Sequence, residues 1–209
     1  MKQTAWDIFF AEAVRAALVP GRRVLDVGAG LRIDRTKGNV EDSMRAWIKP
    51  LIEKVSYQVL DPVDTYHPDI VGDVMEMPQI PNASYDAVFC LAILEHVSRP
   101  WDAMREMLRV LKPVGLLIGY VPFLWPYHGM PGYYGDFYRY TAEGISALCV
   151  GFEDVKIQAV RGPVETIVHL LPGFLGGRFM SLLARWIDDI RRASGKQVSG
   201  HYFIARKPS

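Results

Sequence analysis

The chain alternates between short apolar runs and stretches in which apolar residues recur at helical spacing. Residues 4–19 follow the helical repeat and stop at Pro20-Gly21, which predicts an amphipathic helix. Further helices are predicted over 43–54, 100–111 and 141–149, and strands over 22–27, 56–60, 69–72, 85–91, 116–121, 152–161 and 201–206. Because strands and helices alternate, the pattern favours a doubly wound, largely parallel α/β sheet.

Residues 163–193 are predicted to be helical, with a break at Pro172-Gly173 and Gly176-Gly177. One helical face carries the apolar side chains Phe179, Leu183, Trp186, Ile187 and Ile190. We expect this face to pack on the rest of the domain. The alternatives are pairing with a second copy of the chain, which would give a homodimer, and contact with a membrane surface, which the mixed charge of the helix disfavours.

Half of the 209 residues are hydrophobic, which supplies a core and excludes a disordered chain. No repeat or linker divides the sequence. We therefore expect a single domain over 1–209, made of an N-terminal helical segment (1–21), a core (22–150) and a helical insertion (163–193).

The formal net charge is +1, so there is no basic excess to bind nucleic-acid phosphates. Two cysteines are too few for a disulfide framework, and we expect Cys90 and Cys149 to be buried thiols in a reducing compartment. Asp7 and Glu12 interrupt the N-terminal segment, which is unlike a secretory signal. No apolar run approaches the roughly 18–20 residues of a membrane span, and we expect a cytoplasmic protein.

The run Val24–Gly30 joins an apolar strand to a turn that contains Gly28 and Gly30. Open α/β sheets bind nucleotide-like ligands at such junctions. A dinucleotide-binding turn has a third glycine, but Ile33 occupies that position, and the Gly-Lys-Ser/Thr of a P-loop is absent. The glycine pair alone does not distinguish a ligand-binding turn from a tight corner of the backbone.

Three carboxylates follow or end successive predicted strands, namely Asp26, Asp61 and Asp73. In a parallel sheet these residues gather at the carboxyl edge, where ligands bind. A carboxylate after the second strand can accept both hydroxyls of a ribose, and one after the third can accept an exocyclic amine. Each could instead cap a local turn, although three at successive strand ends make that interpretation less favoured.

With these carboxylates, the chain resembles the class I S-adenosylmethionine-dependent methyltransferases of the bacterial type 11 kind. The resemblance rests on Val24–Gly30, Asp61, Asp73–Pro78, Tyr85–Val88, Leu94–Val97 and Glu106–Pro113. It covers about residues 22–150, which would be the cofactor-binding core. It implies a Rossmann-like, mostly parallel seven-stranded sheet with an antiparallel last strand.

The resemblance also implies a cofactor, S-adenosylmethionine, with S-adenosylhomocysteine as product. Its residues here would be Asp26, Gly28, Ala29 and Gly30 at the methionine part, Asp61 and Pro62 at the ribose, Asp73 and Val74 at the adenine, and Cys90 and Leu91 at the amino-acid end. The chain departs from the family at Arg32, where glycine is frequent. This cation could pair with an anion or extend into solvent.

Methyl transfer from a sulfonium needs alignment and exclusion of water more than a catalytic residue. A hydroxyl acceptor, however, benefits from a base. His128 and His96 are the candidates, since each follows a strand at the carboxyl edge, and Glu95 could orient His96. Either histidine could instead have a structural role, and no metal is expected.

Residues 122–140 form a long loop that is rich in aromatic side chains, after the fifth predicted strand. We expect it to cover an acceptor pocket, with contacts from Trp125, His128, Asp136, Tyr138 and Arg139. The alternative is that these aromatics only pack over the edge of the sheet.

The expected function is methyl transfer to a small-molecule hydroxyl, for example on a sugar or glycan precursor. One alternative is a catalytically inactive methyltransferase-like protein that binds S-adenosylmethionine. A nicotinamide-dependent oxidoreductase is disfavoured by Ile33. The Asn/Asp-Pro-Pro-Tyr tetrad of enzymes that methylate bases or amides is absent after strand four, which disfavours nucleic-acid methylation.

Overall fold

Seven strands form one sheet in the computed structural model, which describes residues 3–34, 36, 41–171, 177–191 and 196–209. The strands are β1 (Arg23–Val27), β2 (Ser56–Asp61), β3 (Ile70–Val71), β4 (Tyr85–Leu91), β5 (Leu111–Pro122), β6 (Glu153–Val160) and β7 (Gly200–Arg206). Their order is β3-β2-β1-β4-β5-β7-β6. Only β7 runs antiparallel to its neighbours, β5 and β6. The predicted doubly wound sheet with an antiparallel last strand is confirmed.

Six α-helices and three 3-10 helices flank the strands within the described residues. The α-helices are α1 (Ala5–Ala17), α2 (Lys49–Ile52), α3 (Pro100–Val110), α4 (Ala142–Leu148), α5 (Pro163–Leu170) and α6 (Arg178–Arg191). The 3-10 helices cover Ser43–Ile48, Asp64–Tyr66 and Leu94–His96. The first predicted connecting helix, over 43–54, is therefore mostly a 3-10 turn followed by the short α2.

Both faces of the sheet are covered, which explains why β4 reads as a continuous apolar run. Val88 and Cys90 lie in the core beneath α3 and α4, whereas Ala87 and Phe89 lie in the core beneath α1. Successive side chains of a strand point to opposite faces, so one strand supplies both cores. Cys90 and Cys149 are both free and buried, as predicted.

The fifth strand begins earlier than its apolar run suggested. It starts at Leu111, which pairs with Tyr85, and the pairing then shifts register before Ala87 meets Leu116. Val114 has a φ of +57° within this irregular stretch. Pro113 and Gly115 are residues that commonly interrupt helices and strands. The stretch that contains them is nevertheless part of β5, because Leu111 already pairs with β4.

The expectation that the apolar face of α6 packs on the domain is wrong. Phe179, Trp186 and Ile190 are 76%, 60% and 60% exposed, whereas Ala184 and Asp188 on another face are buried. The polar face of α6 meets α5, because Asp188 and Arg185 form hydrogen bonds with residues of that helix. The apolar face of α6 is therefore left exposed. Residues 172–176 of the predicted break lie outside the described residues, and a homodimer through 163–193 stays a prediction.

No helix among the described residues is long and apolar enough to cross a membrane. The cytoplasmic location and the absence of a nucleic-acid partner stay predictions.

A buried carboxylate of α6 caps the N-terminus of α5. Gly162, at the N-cap of α5, has no side chain for this purpose. Asp188 instead accepts hydrogen bonds from the backbone N–H groups of Val164 (3.1 Å) and Glu165 (2.9 Å). Beside it, Arg185 pairs with the buried Glu165 at 2.6 Å. The two insertion helices are thus joined by charge-assisted hydrogen bonds.

We predict that Asp188→Ala lowers the free energy of unfolding by about 2 kcal/mol, because two buried N–H groups lose their acceptor. Urea denaturation measures the change. The matched control is Asp189→Ala at the neighbouring, exposed position, which should stay within about 0.5 kcal/mol of the parent chain. Equal effects of the two substitutions would contradict the capping role.

Candidate functional site

The turn after β1 has a conformation that favours small residues. Gly28 has a φ of +70° and Ala29 a φ of +49°. A Cβ on Gly28 would lie 2.1 Å from Cδ1 of Ile93, and one on Gly30 would lie 2.8 Å from the carbonyl oxygen of Leu91. The turn therefore lies directly against the chain that leaves β4, which only glycine permits at position 30.

Asp26 organises this turn from beneath. Its carboxylate accepts hydrogen bonds from the N–H groups of Gly30 (3.1 Å) and Leu31 (3.0 Å) and from the hydroxyl of Tyr57 (2.6 Å). Burial raises the pKa of Asp26 to about 6, although these three donors oppose the shift. Asp26 is fully buried, and its described hydrogen bonds are to the turn and to Tyr57 of β2.

The other two carboxylates lie farther along the same edge of the sheet. Oδ1 of Asp61 accepts from the N–H of Val63, and Oδ1 of Asp73 accepts from the N–H of Met75, both at 2.8 Å. Both therefore form Asx turns, although the sequence favoured ligand binding over this local structural role. Each turn uses one oxygen of the carboxylate, so a ligand contact through the other oxygen is compatible with it.

The remaining predicted cofactor residues differ in exposure. Val74, Cys90 and Leu91 are buried, whereas Pro62 is exposed beside Asp61. Burial raises the pKa of the Cys90 thiol, which is consistent with an inert core cysteine.

A cavity of about 1080 Å³ opens beside the glycine turn. Gly30, Leu91 and Ala92 line it, and so do Glu95, Trp125 and His128. The volume is at the upper end of the range typical for small-molecule sites. Asp61, Asp73 and Val74 lie outside this cavity, along the adjoining edge.

The N-terminal helix forms a wall of the cavity, which the sequence did not indicate. Trp6 and Phe10 of α1 line it, together with Arg45 from the 3-10 helix over Ser43–Ile48. Arg45 stacks on the Phe10 ring at 5.2 Å and donates a hydrogen bond to the carbonyl oxygen of Gly30. Arg32 also lines the cavity, with an exposed side chain and a φ of +50°.

Glu95, His96 and His128 form a cluster, although His128 follows His96 by 32 residues in the sequence. Nε2 of His96 and Nε2 of His128 each lie 3.9 Å from Oε1 of Glu95. The two imidazole rings meet edge to face with centroids 4.7 Å apart. Glu95 is fully buried, and burial raises its pKa to about 8. Burial also lowers the pKa of His96.

The aromatic loop over 122–140 closes on the short helix that carries Glu95. The N–H of Phe137 donates to the carbonyl oxygen of Glu95 at 2.7 Å, and the hydroxyl of Tyr140 donates to that of Leu94 at 2.7 Å. Nδ1 of His96 donates to the carbonyl oxygen of Gly135 at 2.6 Å. These contacts explain why His96 and His128, from different loops, meet at one place.

An ion pair within the loop fixes its shape. Arg139 contacts both oxygens of Asp136, at 2.5 and 2.7 Å, and donates to the carbonyl oxygens of Trp125 and Pro126. The N–H of His128 donates to Asp136 at 2.8 Å. Because of the Arg139 guanidinium, the pKa of Asp136 lies well below its usual range. Asp136 and Arg139, two of the predicted acceptor contacts, are therefore engaged in positioning His128.

Tyr138 and Trp125 have different surroundings. The hydroxyl of Tyr138 donates to the carbonyl oxygen of Ser98 at 3.0 Å, so it ties the loop to the start of α3. Trp125 lines the cavity and packs on His169 of α5 with ring centroids 5.1 Å apart. Of the five predicted acceptor contacts, Trp125 and His128 line the cavity.

Part of the chain is similar in sequence to known methyltransferases. Residues 39–119 match the family described as a methyltransferase domain. Over 116 residues the chain is 37% identical to the demethylmenaquinone methyltransferase of Renibacterium salmoninarum. Over 102 residues it is 29% identical to the mitochondrial ubiquinone biosynthesis O-methyltransferase of Schizosaccharomyces pombe. These matches cover 54% and 47% of this chain, but only 46% and 37% of the two relatives, so the chain aligns with less than half of each.

The fold comparison extends over nearly the whole chain. A SAM-dependent methyltransferase from Archaeoglobus fulgidus is 17% identical, with a TM-score of 0.59 over 96% of this chain and 94% of that one. At this identity the comparison shows a shared fold, and it extends well beyond the residues of the family match. The order of the motifs, the family match and the fold agree. Residues 39–119 therefore match a methyltransferase domain, and the resemblance of the chain to the class I S-adenosylmethionine-dependent methyltransferases, seen in its sequence, is confirmed.

Proposed function

We propose that this protein transfers the methyl group of S-adenosylmethionine to a hydroxyl of a small molecule held in the cavity. The observation that carries the proposal is that Gly30 of the glycine turn and the Glu95 and His128 side chains line the same cavity. A methyl donor at the turn would therefore face an acceptor oxygen near polar groups.

The cofactor would extend from the glycine turn along the carboxyl edge of the sheet. Its methionine part would lie against Gly28, Ala29 and Gly30, where small residues let the backbone approach closely. The ribose would lie beside Asp61 and Pro62, and the adenine beside Asp73 and Val74. The chain at Cys90 and Leu91 would border the amino-acid end. The order of β3, β2, β1 and β4 in the sheet supports this path.

The reaction is an in-line displacement at the methyl carbon. The methyl–sulfur bond breaks, its electron pair stays on sulfur, and a methyl–oxygen bond forms. The acceptor hydroxyl loses its proton to a base. With no metal ion bound between Glu95 and the two histidines, Nε2 of His128 or His96 could accept that proton. The walls of the cavity would align the two reactants and limit access of water.

The acceptor would be a molecule with a ring and at least one hydroxyl. Trp125 of the loop over 122–140 lines the cavity with Trp6 and Phe10 of α1, and such aromatic faces suit a flat ring or a sugar face. One relative is named for O-methylation in ubiquinone biosynthesis and the other is a demethylmenaquinone methyltransferase, which favours a quinol-like ring over a sugar.

We predict that Asp61→Asn weakens binding of S-adenosylhomocysteine by about 10–100-fold, measured by titration calorimetry. Asparagine can keep the turn to Val63, but it lacks the anionic acceptor for two ribose hydroxyls, and a charged hydrogen bond contributes about 1.5–3 kcal/mol. The exposed Asp64 offers the matched control Asp64→Asn, which should bind like the parent chain. Unchanged binding by Asp61→Asn would show that the ribose assignment is wrong.

We predict that Gly30→Ala reduces cofactor affinity more than tenfold and lowers stability by about 1–3 kcal/mol, because the added Cβ meets the Leu91 backbone. Calorimetry and urea denaturation measure the two effects. Gly144→Ala in α4 is the control, since a Cβ there meets nothing closer than 3.5 Å. It should leave binding unchanged and stability equal or higher.

The function itself is tested by a screen of acceptors with a radiolabelled methyl donor. We expect transfer to a dihydroxylated aromatic ring and little or none to a fully O-methylated analogue of the same ring. Sugars and glycan precursors form the second arm of the screen. Tight binding of S-adenosylmethionine without transfer to any acceptor would favour a catalytically inactive binding protein.

A further inference from the structure

We propose that Glu95, His96 and His128 form a binding site for one divalent transition-metal ion, with Zn²⁺ the best fit. No metal was expected from the sequence, so this site would arise from the fold. The cluster is assembled from the short helix after β4 and the loop after β5.

The three side chains present their ligand atoms to a common point. One oxygen or nitrogen from each residue lies within 4.8 Å of the others, and both Nε2 atoms are 3.9 Å from the same Glu95 oxygen. In a tetrahedral zinc site with bonds of about 2.0–2.1 Å, neighbouring ligand atoms are roughly 3.3 Å apart. The two distances to Glu95 would therefore shorten by about 0.6 Å, and the distance between the two imidazole nitrogens, which is within 4.8 Å, by at most about 1.5 Å.

Both imidazoles are fixed in the tautomer that a metal requires. Nδ1 of His96 lies 2.6 Å from the carbonyl oxygen of Gly135, and Nδ1 of His128 lies 3.0 Å from that of Pro126. A carbonyl oxygen only accepts, so each Nδ1 carries the proton and each Nε2 presents a lone pair to the cluster. Histidine ligands in metal sites are oriented by hydrogen bonds of this kind.

The strongest support is the Glu95 carboxylate. Its residue is fully buried, and neither of its side-chain oxygens has a hydrogen-bond partner among the described residues. Buried carboxylates are normally hydrogen-bonded, paired with a cation or bound to a metal, because an unpartnered charge is costly in the interior. Arg139, the cation of the covering loop, is instead engaged by Asp136. A bound cation would supply the missing partner.

The donor set indicates the kind of ion. Two imidazole nitrogens and one carboxylate oxygen suit zinc and its first-row neighbours, whereas Mg²⁺ and Ca²⁺ prefer oxygen ligands. Three protein ligands leave at least one coordination position unfilled, as in catalytic sites. Since Glu95 and His128 line the cavity, that position would face the acceptor.

If the proposed function holds, the ion would bind the acceptor oxygen. A metal-bound oxygen loses its proton more readily, so water could then remove the proton. The two imidazoles would serve as ligands and not as bases. This role rests on the proposed function, but metal binding itself can be measured without a methyl donor or an acceptor.

The experiment is a calorimetric titration of the chelator-treated, dialysed full chain with ZnCl₂, and in parallel with MgCl₂. We expect one Zn²⁺ per chain and much weaker binding of Mg²⁺. Glu95→Gln and His128→Ala should each weaken Zn²⁺ binding by about 100-fold or more, since even outer-shell partners of zinc ligands contribute 10–100-fold. Exposed His67 is the matched control, and His67→Asn should bind Zn²⁺ like the parent chain.

Two further measurements keep the test decisive. Circular dichroism must show that the variants are folded, and Glu95→Gln should not lower the Tm of the metal-free chain, because it removes a buried acid without hydrogen bonds. Co²⁺ should give visible ligand-field bands in the parent chain that are lost in His96→Gln. Zn²⁺ affinity equal in the folded parent, Glu95→Gln and His128→Ala chains would overturn the proposal. Metal binding without methyl transfer would instead refute the proposed function and leave the site intact.

Discussion

The packing of the turn after β1 against the chain that leaves β4 is the constraint on which the site depends. Gly30 touches the backbone of Leu91, and Gly28 faces Ile93. This contact is fixed by the pairing of β1 with β4, which aligns Val27 with Cys90. Any larger side chain at position 30 would push the two segments apart. The same contact brings the short helix with Glu95 next to the cofactor edge.

The two buried carboxylates of this region show how local partners decide the role of an acid. Asp26 accepts from two backbone amides and the Tyr57 hydroxyl, which makes it part of the turn's structure. The side chain of Glu95 has no such donors among the described residues, and its pKa is raised further, to about 8, against about 6 for Asp26. A fold keeps a group like Glu95 in its interior at a cost in stability. That cost is consistent with a role in binding or catalysis.

The aromatic loop shows that polar residues can position another side chain at a site without lining the cavity themselves. Asp136 and Arg139 have the residue types expected of acceptor contacts, yet they pair with each other and with the loop's own backbone. Their effect is to hold His128 against His96 and Glu95. The cavity is lined by aromatic side chains such as Trp6 and Trp125 together with charged ones such as Arg45 and Arg185.

The sequence by itself determined the order of strands and helices, the glycine turn and the resemblance to methyltransferases, because these depend on local periodicity and on short motifs within one segment. It did not determine which face of α6 packs on the domain, because a helical repeat defines an apolar face but not the neighbour that this face contacts. In the structure the apolar face is exposed. Nor did it show that α1 walls the cavity or that Glu95 joins two histidines from separate loops. Only the tertiary structure decided these points, since burial and side-chain proximity arise from contacts between segments that are distant along the chain.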